Sequence, residues 1–265
     1  MTAQPKTVKV PLKTVALPNE HGGWGFTLEP ILLGLLVAPS WAGLGLGIFA
    51  LAAFFTRHPL KLWLADARKG KRFPRTPVAG RFALGYGTIG ALGLLLALVG
   101  AKEPFYWPLL AALPLIGVQL WFDAHNQGRN LLPEISGAVA MGSIASGIAL
   151  AAGMDVRLAL GLWLVLGMRA LAAIYYARAQ VMRARGVTVN LSLTYSAESL
   201  AIGLLVLGAV FGLVSWLSVL ALGLLLPFSL YTFSKPPVPA KVVGWTQMGF
   251  GLLVVVLTAL GVRML

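Results

Sequence analysis

The sequence contains no cysteine, and charged residues make up only 11% of its 265 positions. Without cysteine, the chain has no disulfides, thiolate metal sites, iron–sulfur clusters or cysteine nucleophiles. Soluble domains carry about 25% charged residues, so this low fraction, together with 58% apolar residues, excludes an ordinary soluble domain. Length sets a second limit, because at about 20 residues per membrane helix the chain holds roughly nine spans and no soluble second domain.

Apolar runs with the length of a membrane helix recur along the chain. They predict spans at 22–39, 42–64, 82–100, 106–122, 132–152, 157–177, 197–213, 215–233 and 242–262. We therefore expect an all-α protein, a polytopic membrane bundle of about nine transmembrane helices. Residues 1–17 are predicted to form a cytoplasmic N-terminal segment, and residues 18–265 a single transmembrane bundle domain.

Acidic residues are scarce, with 8 against 21 lysines and arginines, and the net charge is +13. If the nine spans alternate in direction, seventeen cations fall on the side of the N-terminus and three, Lys102, Arg157 and Arg263, on the other. Cytoplasmic loops carry such an excess of cations, so we expect a multi-pass protein of the plasma membrane with its N-terminus in the cytoplasm and its C-terminus outside. This distribution accounts for the basic charge without nucleic acid as a partner.

Some charges lie within the spans rather than beside them. Glu29, Arg57 and Arg169 lie about 10–13 Å from the cytoplasmic span ends, where each costs about 2.5–3.5 kcal/mol unless it is paired or hydrated. Glu134 and Glu198 fall in the first turns of the predicted fifth and seventh spans, on the same side. We predict that Arg169 points into the bundle with Glu29 as its acidic partner, and that a basic cavity opens toward the cytoplasm. The alternative is that these charges only pair with one another to stabilise the bundle.

Four polar segments, 18–25, 57–75, 123–130 and 175–178, are predicted to line this cavity. The candidate ligand-binding residues are Glu29, Arg57, Lys61, Asn126, Arg129, Glu134, Arg169, Tyr176 and Arg178. We expect five residues to converge there, namely Arg57, Asp123, Asn126, Arg129 and Arg169. Arginine binds phosphate or carboxylate by a two-pronged contact, so the cavity suits an anion.

Proton-transfer groups are also present in these segments. His21, Asp66 and Asp123 are the candidate catalytic residues, because such side chains serve as general acids and bases. The three histidines of the chain lie on one side, but no two have ligand spacing on one helix. No metal site and no cofactor are therefore predicted, with magnesium or haem left as open alternatives. Phosphate-loop and dinucleotide fingerprints are absent from the sequence.

Residues 18–24 read Pro-Asn-Glu-His-Gly-Gly-Trp, which resembles the opening signature of the YwiC-like family of bacterial membrane proteins. The similarity extends through the loop from Asp123 to Glu134 and to the connection at 236–241. This resemblance implies a membrane protein and indicates no particular activity.

The predicted layout also resembles the UbiA-type intramembrane prenyltransferases, which have nine helices and a cytoplasm-facing cavity. Those enzymes hold magnesium on two Asp-rich motifs after spans two and six. Here the stretch at 57–66 keeps one carboxylate, Asp66, and the stretch at 175–183 keeps none. Because magnesium requires several hard oxygen ligands, the resemblance implies the scaffold without the usual mechanism.

The leading hypothesis is that the protein binds or modifies an amphipathic anionic molecule, such as an isoprenoid phosphate or a quinone precursor. Its head would meet Arg57, Lys61, Arg129, Arg169 and Arg178, and its tail the apolar helices. As an enzyme it would be a prenyltransferase-like transferase without the Asp-rich magnesium site. The alternatives are an anion or small-molecule transporter and an accessory subunit of a membrane respiratory system. A membrane lipid or isoprenoid-like ligand is the expected partner, and protein partners are left open.

Overall fold

The structure is a computed structural model that describes residues 11–18, 23–71, 73–125 and 127–264. Within these ranges all regular secondary structure is helical, which confirms the predicted all-α class. The helices are α1 (Leu12–Ala16), α2 (Gly23–Val37), α3 (Trp41–Arg68), α4 (Arg75–Gly100), α5 (Tyr106–Ala111), α6 (Leu113–Ala124), α7 (Leu131–Ala151), α8 (Val156–Ala184), α9 (Leu191–Val210), α10 (Trp216–Gly223), α11 (Leu225–Phe233) and α12 (Ala240–Val262).

Each of the nine predicted spans coincides with one helix or with two consecutive helices. In the described part of the chain, seven stretches are long and apolar enough to cross a membrane: α3, α4, α7, α8, α9, the α10 and α11 pair, and α12. The apolar helices α2 and α6 are shorter, with 15 and 12 residues. The protein is thus a multi-pass membrane bundle, and the count of nine is approximate.

Prolines account for the two spans that divide into helix pairs. Pro114 has no N–H to donate to the carbonyl of Leu110, and Pro227 has none for Gly223. The chain accordingly breaks at Ala112, between α5 and α6, and at Leu224, between α10 and α11. By contrast, α3 continues through Pro59 to Arg68.

Hydrogen bonds between helix ends show that the helices alternate in direction. At one end, the Lys102 amide after α4 donates to the Ala151 carbonyl at the end of α7, at 2.9 Å. At the other end, Arg183 of α8 donates to the Phe233 carbonyl at the end of α11, at 3.0 Å. We call the end at which α3, α6, α8 and α11 finish the basic end, and the other the opposite end.

Helix α7 lies at the centre and α4 at the periphery. Helix α7 packs on α2, α3, α6 and α8. In its most apolar stretch 78% of the residues are buried, whereas the corresponding value for α4 is 17%. Helix α4 instead packs closely on α3, where a Cβ at Gly45 would lie 2.5 Å from the Gly93 carbonyl oxygen. Such close backbone approach at small residues is typical of membrane helix pairs. The outward side chains of α4, including Leu84 and Val99, are exposed for contact with lipid.

The N-terminal segment contributes to the bundle. Helix α1 packs on α3 and α4 at the basic end, with Val15 and Ala16 buried. The His58 Nε2 atom lies 3.0 Å from the Thr14 carbonyl oxygen, within hydrogen-bond distance. Residues 12–16 are therefore folded onto the helices that follow them.

Candidate functional site

A buried arginine joins three helices in the half of the bundle nearer the basic end. Arg169 of α8 is only 2% exposed. Its Nη2 atom lies 3.4 Å from Glu29 Oε1 of α2 and also donates to the Gln247 carbonyl of α12. Its Nη1 atom donates to Gln247 Oε1 at 3.2 Å. The predicted inward orientation and the predicted pairing with Glu29 are both present.

Glycine allows the backbone of α12 to approach this ion pair. A Cβ at Gly251 would lie 1.8 Å from Glu29 Oε1 and 3.1 Å from Arg169 Nη2, so no larger residue fits there without rearrangement. Gly251 follows Gln247 by four residues and hence lies on the same helix face. The sequence interpretation missed Gln247; its neutral polar side chain within an apolar run, one turn before a glycine, was the available signal.

Two donors of this cluster lack an acceptor. Within the described residues, Arg169 Nε and Gln247 Nε2 are buried and have no hydrogen-bond partner. A buried donor without a partner costs about 1–3 kcal/mol. We call the cluster of Glu29, Arg169 and Gln247 the arginine centre. Its two free N–H groups cannot accept hydrogen bonds, but they can donate to an incoming oxygen.

A second ion pair connects α3 with the end of α6. Arg57 Nε donates to Asp123 Oδ2 at 3.0 Å, and its Nη2 atom contacts the same oxygen. The loop after α6 approaches closely, since a Cβ at Gly128 would lie 2.0 Å from Asp123 Oδ1. Lys61, one turn beyond Arg57, is exposed. The structure thus brings together Arg57 and Asp123, two of the five residues expected to converge.

A third group joins α7 and α8 at the basic end. Arg178 Nη1 donates to Glu134 Oε2 at 2.8 Å and to the Arg129 carbonyl at 2.9 Å. Glu134 lies in the first turn of α7, where a carboxylate also interacts favourably with the helix dipole. The side chain of Arg129 itself is exposed.

Asp66 is fully buried and has both carboxylate oxygens occupied. Arg75 donates to Oδ1 at 2.8 Å and to Oδ2 at 3.2 Å, and Thr76 donates to Oδ2 at 2.8 Å. This arrangement fastens the start of α4 to the end of α3. These contacts give Asp66 a structural role. They leave neither carboxylate oxygen free for the proton transfer predicted from the sequence.

Tyr176 lies in a different environment from Arg169, seven residues earlier on the same helix. Its hydroxyl donates to Thr232 Oγ1 at 3.1 Å and accepts from Gln180 Nε2 at 3.3 Å. Its ring packs against Phe228 and Phe233 of α11. Tyr176 therefore faces α11, whereas Arg169 faces α2 and α12.

The candidates consequently form separate groups that involve different helices. Two open pockets at the basic end measure about 540 and 360 Å³. Neither is lined by a predicted ligand-binding residue, and the single basic cavity expected from the sequence stays a prediction. His21 and Asn126 lie outside the described residues. Among the residues that are described, no three histidine or acidic side chains come together as a metal site.

The helical bundle with lipid-facing apolar surfaces and buried ion pairs defines a multi-pass integral membrane protein. Residues 17–149, half of the chain, match the family described as YwiC-like protein. The chain belongs to this YwiC-like family. Searches of curated proteins and of solved structures returned no match.

The matched region contains Glu29, Arg57, Asp123 and Glu134, whereas Arg169 lies beyond it. The signature at 18–24 and the loop from Asp123 to Glu134 lie within the matched region. The connection at 236–241 lies outside it. The resemblance to UbiA-type enzymes has no support from a solved structure and stays a prediction.

Proposed function

We propose that this protein binds an amphipathic molecule of the membrane and that the arginine centre receives its oxygen-bearing headgroup. The observation that supports the proposal is the pair of buried donors, Arg169 Nε and Gln247 Nε2, that lack acceptors among the described residues. Both atoms can only donate, so the complementary group is an oxygen acceptor such as a phosphate, a carboxylate or a quinone carbonyl.

The depth of the centre fits a molecule that enters from the basic end. Gln247 lies seven residues after the first residue of α12 and fifteen before the last, which corresponds to about 10 Å and about 22 Å along the helix. A headgroup at this depth would leave an apolar tail among the helices. An isoprenoid chain is apolar along its length, as a tail that lies among these helices must be.

The charge of the basic end favours an anionic headgroup. Arg57 and Arg178 already pair with carboxylates, whereas Lys61 and Arg129 have exposed side chains. We propose that exposed cations attract the anion and that the arginine centre holds it. Electrostatic attraction of this kind raises the local concentration of a charged ligand.

We also propose that the basic end faces the cytoplasm of a cell whose plasma membrane contains the protein. The excess of cations at this end supports that orientation. It places the N-terminus inside and the C-terminus outside. The headgroup would then enter from the cytoplasmic leaflet.

The proposal concerns binding, and chemical modification of the ligand is a further step. Of the candidate acids and bases, Asp66 has both oxygens occupied and Asp123 contacts Arg57. A transferase reaction on the scaffold that UbiA-type enzymes use would need a base outside these contacts. His21 is the candidate that the proposal leaves for that role.

Retention of lipid tests the proposal. Wild type, Gln247→Leu and Thr258→Val are purified in one detergent, and the extracted lipids are identified by mass spectrometry. Thr258 is the matched control because its Oγ1 is also buried without a partner on α12, but near the opposite end. We expect a phosphorylated isoprenoid or a quinone in wild type and Thr258→Val, and about tenfold less in Gln247→Leu, since one hydrogen bond to a charged group is worth about 1.5–3 kcal/mol.

Titration distinguishes the headgroups. Farnesyl phosphate and a short-chain menaquinone are added to delipidated protein, and the thermal unfolding midpoint is measured, because a ligand that binds the folded state raises it. A shift with farnesyl phosphate alone identifies an anion site, and a shift with menaquinone alone a carbonyl site. No shift with either probe, together with equal lipid content in all three proteins, would contradict the proposal.

A further inference from the structure

A second buried polar group lies between α8, α9 and α11, separate from the arginine centre. Glu198 of α9 is 1% exposed and lies seven residues after the first residue of the helix. Ser229 Oγ of α11 donates to its Oε1 atom at 2.6 Å. Its Oε2 atom is buried and has no partner among the described residues.

Glu198 also lacks a cationic partner in the described part of the chain. The ion pairs found there engage Glu29, Asp66, Asp123 and Glu134. Asp155 caps α8, and Glu103 is exposed at the opposite end. An ionised carboxylate that is buried without a counter-charge carries a penalty of several kcal/mol.

The charged and titratable groups on neighbouring helices are accounted for. On α8, Arg169 contacts Glu29 and Arg178 contacts Glu134. Arg157 donates to the Phe211 carbonyl at the opposite end, and Arg183 donates to the backbone carbonyls of 233 and 235. The remaining groups are the tyrosines at 175 and 176 on α8, at 195 on α9 itself and at 231 on α11, and α10 has no titratable group. Among the described residues, no cation therefore forms an ion pair with Glu198.

Two unsatisfied atoms of this group are acceptors, unlike those of the arginine centre, whereas Arg183 Nη1 of α8 is a buried donor without a partner. Gln180 Oε1 of α8 is, like Glu198 Oε2, a buried acceptor without a donor. The Gln180 amide donates to Tyr176, which donates to Thr232, one turn beyond Ser229 on α11. Unsatisfied acceptors need a hydrogen-bond donor or a cation, whereas unsatisfied donors need an acceptor such as an oxygen.

We infer that Glu198 binds a proton within the bundle and exchanges it with solution at the basic end. A protonated carboxyl needs no counter-charge, and it converts Oε2 into a donor. Thr194 is buried one turn earlier on the same face of α9. The bond from Ser229 to Oε1 is retained in this form.

A pocket open to solution lies at the same end of the bundle. The pocket of about 360 Å³ is lined by Arg183, by residues 186–189 and 191, and by Pro237. Below it, the Phe233 ring lies under the Arg183 guanidinium, at 5.3 Å, and packs on Tyr176 and Tyr195. Rotation of Phe233 would connect the pocket to the polar groups around Gln180 and Glu198. The inference does not depend on the ligand proposed for the arginine centre.

Carbodiimide labelling tests the inference. N,N′-dicyclohexylcarbodiimide reacts with protonated carboxyls in apolar surroundings, and the labelled peptide is identified by mass spectrometry of full-length protein in vesicles. We expect Glu198 to be labelled and the label to be lost in Glu198→Gln. Glu103, which is exposed at the opposite end, is the internal control, because it lacks the apolar surroundings that this reagent needs. Labelling of Glu198 should decrease as the pH is raised.

A second measurement separates the proton from a metal cation and from misfolding. Labelling at constant pH in sodium chloride should equal labelling in choline chloride, and protection by sodium would overturn the inference in favour of a sodium site. Glu198→Gln mimics the protonated acid, so we expect it to unfold at the temperature of wild type and to lose the infrared band of a protonated carboxyl. An unlabelled Glu198 in folded wild-type protein, or wild-type protein without that band, would also overturn it.

Discussion

Glu29 and Arg169 are opposite charges in one desolvated site, and each depends on the other for its position in the bundle. The carboxylate lies against Gly251, and the guanidinium is held by the Gln247 carbonyl, so neither side chain has room to turn toward solvent. Removal of one partner from a buried ion pair leaves an uncompensated charge, which costs more than the pair contributes when it is intact.

We therefore expect Glu29→Gln to destabilise the protein by about 3–5 kcal/mol, and the double variant Glu29→Gln with Arg169→Gln to recover much of the loss. The measurement is the thermal unfolding midpoint in detergent. Glu103→Gln, an exposed change at the opposite end, is the control and should have no effect. A double variant that is less stable than either single variant would contradict this expectation. It would show that the two charges stabilise the protein by more than neutralising each other.

Among the helices, the pair of α3 and α4 is held by backbone contact rather than by large side chains. A Cβ at Gly93 would lie 2.7 Å from the Gly45 carbonyl oxygen and 3.0 Å from the Phe49 amide nitrogen. Backbone atoms cannot move aside as a flexible side chain does, so the helices would have to separate. Asp66 and Arg75 then fasten the same two helices at the basic end.

Gly93→Ala should accordingly lower the stability of the bundle by about 1–3 kcal/mol, the usual cost of overpacking. Gly87→Ala on the same helix is the matched control, because a Cβ there has nothing within 4 Å. It should leave the protein unchanged or raise its stability by up to about 1 kcal/mol, since alanine favours helix over glycine. The stability of both variants is measured as a shift of the thermal unfolding midpoint. Equal shifts would contradict the close backbone contact between α3 and α4.

For the whole molecule, the spans could be predicted because hydrophobic length is a local property of the sequence. The pairing of Arg169 with Glu29 could be predicted because a buried cation requires a partner. The contacts of Gln247 and the separation of Tyr176 from Arg169 could not, since both depend on how each helix is rotated about its axis. Apolar residues surround most of these helices, so the sequence carries little signal for that rotation.

The direction of the bundle in the membrane is the remaining whole-molecule prediction. Arg157 donates to the Phe211 carbonyl and Arg263 to the Leu36 carbonyl, so two of the three cations at the opposite end bind helix C-termini. Their presence there has a structural cause, and the excess of cations at the basic end is the basis of the predicted orientation. Because the chain has no cysteine, single exposed cysteines can be labelled without background.

We expect an impermeant maleimide to label Lys102→Cys in intact cells, and to label Lys71→Cys and Arg185→Cys only after the cells are permeabilised. All three positions are exposed at helix ends. The reverse pattern would place the basic end outside. A headgroup that reaches the arginine centre would then have to come from the outer leaflet, and the proton on Glu198 would equilibrate with the external solution.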